Sequence, residues 1–281
     1  CGGFEANPEL RARYLGGGWD RAKVRGTKYN TGEGLLAALE IGAKPAGHWR
    51  GCHATPIDAT SPPVGDLRLT DLTNRLSYLY GIMVNLQGKR FVDEGEDLGQ
   101  YTYAKTGEAI LSQPSSTAYQ IFDQKTVGIL EKRYETGTPL VASSIQELAA
   151  KLGLEPAALA HTVQEFNRAI QDGEFNAAVC DGKGTRGIEP PKSNWAQRLD
   201  SPPYLAYPVT GGITFTFGGV EIDPQARVIN TEDNPIPGLY ATGEITGKFF
   251  YHNYPGGAGL MRGAVFGRIA GENAAREALG K

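Results

Sequence analysis

The segment from Tyr240 to Ala275, YATGEITGKFFYHNYPGGAGLMRGAVFGRIAGENAA, constrains the fold more than any other part of the chain. A short apolar run ends in Thr-Gly-Glu, a stretch rich in rings follows, and a glycine-studded helix closes the sequence. Gly263, Gly267, Gly271 and Ala274 recur at steps of four, four and three, which gives the helix a smooth strip that a backbone or a flat ring can approach closely. At its start, Gly256, Gly257 and Gly259 leave amide N–H groups uncovered where the helix dipole is positive. Such an end suits an anion, or a ring oxygen that becomes anionic. Glu244 ends the apolar run, where a carboxylate can accept hydrogen bonds from ribose-type hydroxyls. Phe249, Phe250, Tyr251, His252 and Tyr254 lie between the two, and His and Tyr beside such a mouth point to a pocket wall.

The chain has 281 residues, of which 40% are hydrophobic, enough for one large or two ordinary globular domains. A net charge of -3 offers no basic face for nucleic acid. No stretch approaches the roughly 20 apolar residues of a membrane helix and no signal pattern opens the chain, so a cytoplasmic setting is expected. Cys1, Cys52 and Cys180 are widely spaced and lack His at ligand spacing, so neither a disulfide framework nor a metal site is expected. The chain opens at Cys-Gly-Gly and its only methionines are Met83 and Met261. That reads as a piece of a longer protein.

Periodicity predicts helices in NPELRARYLG and in GEGLLAALEIG, with Gly42 as the stop of the second. TSPPVGD, residues 60–66, marks a boundary region. GIMVNLQGKRFVDE reads as a hairpin around Gln87-Gly88. Ser144 and Glu147 form an expected capping box before one helix, and Pro156 opens a longer one whose Leu159, Val163, Phe166 and Ile170 make a single apolar stripe. His161 lies off that stripe and is expected to face solvent. VEID and RVIN form a second hairpin, and GLYATGE reads as a buried strand. Gly182-Lys-Gly-Thr-Arg-Gly187 matches a dinucleotide fingerprint in letters alone: Pro190-Pro191 follows where a helix would have to open, so it is read as loop.

With these motifs in place, GLYATGEITG, YPGGAGL and GAVFGRIAG resemble the C-terminal flavin-binding segment of the fumarate reductase and succinate dehydrogenase flavoprotein family. The likeness runs the length of the chain: CGGFEANPE resembles the family's glycine pair leading into a helix, NTGEG its Asn-Thr-Gly-Asp-Gly turn, and GIMVNLQGKRFVDE its capping-domain hairpin. NRLSYLYGI, QYTYAK and HNYPGG resemble the family's tricarballylate-dehydrogenating branch. The resemblance implies an α+β chain: the capping domain of fumarate reductase-type flavoproteins plus an incomplete α/β FAD-binding domain without its dinucleotide unit. Residues 1–47 and 212–281 would belong to the FAD-binding domain and residues 48–211 to the cap.

Carried over residue by residue, the resemblance implies FAD contacts at Glu33, Glu244, Gly257, Gly259 and Leu260. It keeps the substrate-carboxylate histidine as His53 and a threonine as Thr73, while Asn74 replaces the acid that follows. The family's proton-donating arginine falls on Tyr103, its clamp arginine on Tyr254, and the histidine of its Gly-Gly-Val segment within Thr214-Phe215-Thr216. Arg75, Lys105, Arg262 and His53 are then the cations expected around the substrate, with Tyr78, His252 and Tyr254 lining the site. Tyr103 serves as proton acceptor if a cation such as Lys105 lowers its pKa from about 10. The expected reaction is FAD-dependent dehydrogenation of a carbon–carbon single bond of a small polycarboxylate, such as tricarballylate to cis-aconitate. Electrons would pass to a partner protein, a membrane-associated iron-sulfur protein by the resemblance. The alternatives are a fumarate reductase, a 3-ketosteroid Δ1-dehydrogenase-like enzyme, and a chain that by itself is non-catalytic and self-associates through bare flavin-domain surfaces.

Overall fold

A single long strand organises the molecule. In a computed structural model describing residues 1–69 and 71–280, the strands are β1 (Lys23–Val24), β2 (Pro45–Ala46), β3 (Cys52–Asp58), β4 (Ile82–Asn85), β5 (Ala118–Phe122), β6 (Leu140–Ala142), β7 (Tyr204–Thr216), β8 (Gly219–Val220), β9 (Arg227–Ile229) and β10 (Pro235–Tyr240). The α-helices are α1 (Pro8–Tyr14), α2 (Glu33–Glu40), α3 (Gly99–Leu111), α4 (Gln124–Val127), α5 (Ile145–Leu152), α6 (Pro156–Ala169) and α7 (Ala258–Ala278). β7, 13 residues long, pairs antiparallel with β5 and β6 through its first half and with β3 through its second, and takes β1 in parallel at Gly212 and Ile213. β4 extends the sheet beyond β5. β7 runs unbroken through residues 211 and 212, so the segments on either side share one strand.

Local chemistry explains most elements. Asn7 caps α1 by accepting from the Glu9 and Leu10 amides, each at 3.1 Å, and Pro8 follows at the first turn. Gly42, at φ +90°, ends the turn after α2. The α6 stripe packs as its spacing predicts: Leu159, Val163 and Phe166 are buried with Leu148 and Leu152 of α5 against Ile82, Val84 and Ile121 of the sheet, and Ile170 packs at the edge. Each of these large side chains contributes about 1.5–3 kcal/mol by leaving water. A second core joins Phe4, Leu10, Trp19 and Leu35 to Ala54, Ile213 and Val228. α3 lies so close to β3 that a Cβ at Gly107 would stand 2.5 Å from the Ala54 carbonyl carbon, and this approach fixes where α3 presents Tyr103.

Three local expectations need correction. GIMVNLQGKRFVDE turns at Gly88, φ +70°, but its second arm makes only an isolated bridge, Arg90 to Val84, because β4 pairs with β5 instead. Ser144 does cap α5 through the Glu147 amide at 3.1 Å, yet the Glu147 carboxylate returns to the amide and hydroxyl of Ser143, one residue earlier than a capping box requires. GLYATGE is not buried. β10 pairs with β9, with Pro237 and Gly238 exposed and the rest only partly buried. Gly182–Gly187 is loop and His161 is exposed beside Glu165, as expected. No helix of the described residues is long and apolar enough to cross a membrane.

Candidate active site

Register, rather than sequence proximity, assembles the site. β3 opposes β7 with His53 beside Phe215 and Cys52 beside Thr216; between His53 and Ala54 the register slips, leaving Thr214 as an extra residue on β7. A bulge of this kind re-aims the adjacent side chain. His53 is turned into a nest of rings: it stacks on Phe215 at 5.2 Å and meets Tyr103 and Tyr254 edge-on, both at 4.8 Å. Burial, followed by the nearby Arg25 cation, pushes His53 down to about 3. Its Nδ1 has no partner among the described residues. His53 is therefore neutral at physiological pH and is not a carboxylate-neutralising cation.

The mouth of α7 abuts this nest. Gly257 adopts φ +85° ahead of the helix, and the Gly259 amide donates to the Tyr254 hydroxyl at 3.1 Å. Tyr254 is buried, while Gly257 and Leu260 are exposed. Gly256 sits over α3, its amide donating to the Gln100 carbonyl at 3.1 Å, and a Cβ there would stand 3.7 Å from the Tyr103 hydroxyl. One mouth amide is thus taken by the protein's own tyrosine, and the mouth faces Tyr103 and His53.

Glu244 occupies the turn Gly243–Ile245 after β10. Its carboxylate accepts from the Thr216 amide at 2.8 Å and from Asn30 Nδ2 at 3.3 Å, and Asn30 also donates to Glu5 at 2.6 Å. Burial and mutual repulsion raise Glu5, and burial raises Glu244, so the pair retains a proton at neutral pH. Here the Gly-Gly pair of the N-terminus finds its reason: a Cβ at Gly3 would lie 2.3 Å from the Glu244 carboxylate and one at Gly2 would lie 2.5 Å from Asn30. Glu33 stands at the exposed first position of α2, bonded to the Thr31 hydroxyl, which lowers its pKa.

A cleft of about 620 Å³ opens beside Tyr103 and Gly256, lined by Arg25, Asn74, Ser77, Leu79, Tyr80, Gln100, Ile129, Trp195 and the ionic trio Asp71, Glu131 and Arg133 among others. Tyr103 is half-buried, and burial with the nearby Tyr254 pushes its phenol up to about 12 against a smaller lowering by Arg25. The expected cations are placed elsewhere. Arg75 is fully buried, held by Asp58 at 2.7 Å and by the carbonyls of Leu72, Asn74 and Arg133, with its guanidinium over Tyr134. Lys105 pairs with Glu96 at 2.7 Å on the surface. Arg262 donates to the Thr246 carbonyl and is surrounded by Phe215, Phe249 and Phe250.

Three further expected lining residues also lie outside the cleft. Tyr78 is a core ring whose hydroxyl bonds Thr102 and Thr106. Thr73 lines a separate crevice with Val24, Ile57 and Leu69. His252 is exposed at φ +59°, its amide donating to His48. Conversely, sequence reasoning missed Arg25, whose only signal was a basic residue after the two-residue strand Lys23–Val24.

These residues fit FAD on three counts independent of any likeness. Glu5 and Glu244 are buried acids bonded to each other, and Glu5 Oε2 finds no partner outside that pair among the described residues, which leaves acceptor capacity for a hydroxyl-bearing ligand. The mouth of α7 offers amides beside a wall of rings. Along that helix, a Cβ at Gly263 or Gly271 would meet nothing within 4 Å and one at Gly267 only Thr242 at 3.8 Å, so the strip is largely open.

The family model for FAD-binding domains matches residues 1–260. A probable fumarate reductase of Shewanella frigidimarina is 32% identical over all of this chain, which spans 44% of that relative's length. A 3-oxosteroid 1-dehydrogenase of Mycobacterium tuberculosis is 28% identical over 99% of the chain and 52% of its own length. Among solved structures, the open conformation of a flavocytochrome c3 fumarate reductase superposes with a TM-score of 0.70 at 30% identity, over 99% of this chain and 45% of the other. The chain thus spans about half the length of the relatives it matches. On sequence and backbone together, it belongs to the FAD-binding family of fumarate reductase and succinate dehydrogenase-type flavoproteins.

Proposed function

We propose that the parent protein is an FAD-dependent oxidoreductase acting on a carbon–carbon bond next to a carboxylate or carbonyl, with Tyr103 handling the proton. One observation carries this reading: a protonated phenol faces a substrate-sized cleft at the glycine mouth where the residues fit a flavin. FAD supplies hydride chemistry when bound, and Glu5, Glu244 and the Gly257 amide are the groups that would hold it, the Gly259 amide being engaged by the Tyr254 hydroxyl. The chain's own residues do the rest. Tyr103 stands protonated at neutral pH, so it is set to donate a proton to the carbon beside the carbonyl group as that carbon gains electron density. Neutral His53, packed edge-on against it, holds the ring in place.

This favours saturation of a double bond over dehydrogenation, because the cation expected to lower Tyr103, Lys105, is engaged by Glu96. Tricarballylate is disfavoured for a related reason: of the cations expected to receive its carboxylates, Arg75, Lys105 and Arg262 are bound to other groups and His53 is neutral. A second reading draws on the apolar part of the cleft, with Leu79, Tyr80, Ile129 and Trp195 suited to a carbocyclic ketone. The electron partner follows the relatives rather than the residues here, a haem protein by the flavocytochrome likeness.

In the full-length holoprotein, Tyr103→Phe should slow the single-turnover reaction of reduced enzyme with its unsaturated substrate by about 10²–10⁴-fold while FAD stays bound. An unchanged single-turnover rate would remove Tyr103 from the chemistry.

A further inference from the structure

Among the described residues the cleft contains one cation, Arg25, that no acid pairs with in contact; Asp71, held by Arg133, supports its charge only from a distance, against a larger penalty from burial. Arg25 follows β1, its amide donating to the Ile213 carbonyl at 2.8 Å, and its side chain enters the cleft. Among the described residues no carboxylate lies within ion-pair distance of its guanidinium. The hydrogen bond it makes through that group is to a neutral acceptor, Asn74 Oδ1, at 3.3 Å. Asn74 cannot neutralise it, and is itself committed to Thr55 at 3.1 Å and Asp71 at 3.1 Å. A guanidinium carries five donors and keeps its charge, so leaving it half out of water with one long bond is costly without an anion.

The other cation of the cleft differs. Arg133 is bound by Asp71 at 2.7 Å and by Glu131 at 3.3 Å. The lining therefore holds two cations and two acids, with the acids gathered on Arg133, and Leu76, Leu79, Leu98, Ile129 and Trp195 make up much of the rest.

We propose that Arg25 is the carboxylate anchor of this cleft and that the cleft selects monocarboxylates with an apolar body over di- and tricarboxylates. The inference rests on the reaction class above and specifies its substrate. A single carboxylate meets Arg25 in the planar two-bond geometry that guanidinium favours. A second or third carboxylate would lie among leucines or against Asp71 and Glu131, losing water with no cation in return.

The test is equilibrium binding to the oxidised full-length holoprotein by calorimetry, without reductant so that nothing turns over. The probes are trans-2-hexenoate, fumarate, tricarballylate and the neutral ketone cyclohexanone. Hexenoate should bind at least tenfold more tightly than either polycarboxylate. Asn74→Glu, which gives Arg25 an internal partner, should weaken hexenoate at least tenfold, and Arg25→Gln should do the same. FAD content and thermal midpoint report on folding of both variants, and Arg25→Lys, which keeps charge but loses the fork, should retain partial affinity. Tricarballylate or fumarate binding as tightly as hexenoate would overturn the proposal, as would unchanged hexenoate affinity in folded Asn74→Glu, or binding of the ketone but of no acid. These outcomes leave the Tyr103 reading untouched. Conversely, Tyr103→Phe should keep hexenoate affinity, so a failure of the proton role does not imitate a failure of the anchor.

Discussion

Helices α6 and α7 carry comparable apolar content and meet opposite fates. α6 buries Leu159, Val163, Phe166 and Ala169 in a continuous core. α7, half as long again, buries only Arg262 and Ala270 among the described residues and leaves Leu260 80% and Val265 50% exposed. The difference is one of purpose. α6 has a stripe of large side chains that must leave water, whereas α7 has a strip of glycines that meets little beyond Thr242. A helix built this way gains little from the protein around it and presents its backbone to something else.

That contrast is most exposed to core truncation. Phe166→Ala should cost about 3–5 kcal/mol, read as a shift in the urea midpoint, while Val265→Ala on α7 should stay within about 0.5 kcal/mol. Equal losses would mean that α7 is packed after all. The glycines sharpen the same point. Gly107→Ala drives a methyl into the Ala54 backbone and should cost about 1–3 kcal/mol, whereas Gly263→Ala should stabilise the flavin-free chain by up to about 1 kcal/mol through helix propensity. In the holoprotein the sign reverses if the strip receives the cofactor: Gly263→Ala should weaken flavin binding, measured by quenching of flavin fluorescence.

The buried acids of the flavin-facing region supply a pH signature of their own. Glu5 has a raised pKa in the fold, so from pH 4.5 upward the native chain keeps a proton that the unfolded chain has released. Stability is therefore full below that pH and falls as pH rises, by at most about 1.4 kcal/mol per pH unit. Glu5→Gln should flatten the alkaline side of the thermal midpoint against pH; an unaltered slope would assign it to other groups. The smallest effect belongs to Lys105→Ala. Its pair with Glu96 is at the surface, so stability should move by less than about 0.5 kcal/mol and turnover by less than twofold.

Several features were legible in the chain itself. The α6 stripe, the Gly42 stop, the loop at Gly182–Gly187 and the Gly256–Gly259 mouth follow from spacing and from the stereochemistry of glycine and proline, which act over a few residues. The meeting of His53, Tyr103 and Tyr254 was implied by family likeness and is realised by three separate elements. What failed was the assignment of charge. Arg75 and Arg25 are both arginines beside apolar residues, and nothing local distinguishes them. Asp58 takes one, while the parallel seating of β1 on β7 delivers the other into the cleft.

By itself, then, the sequence determined the local geometry: where helices stop, which face of α6 is apolar, and that a glycine-rich helix mouth follows the Gly-Glu turn at residue 244. The tertiary structure decided which charges are spent and which are free, and it set the protonation of His53, Tyr103 and the Glu5–Glu244 pair. The physical reason is range. Backbone stereochemistry is settled by neighbours in the chain, whereas burial and ion pairing are settled by neighbours in space, and these are set by strand register far away in sequence.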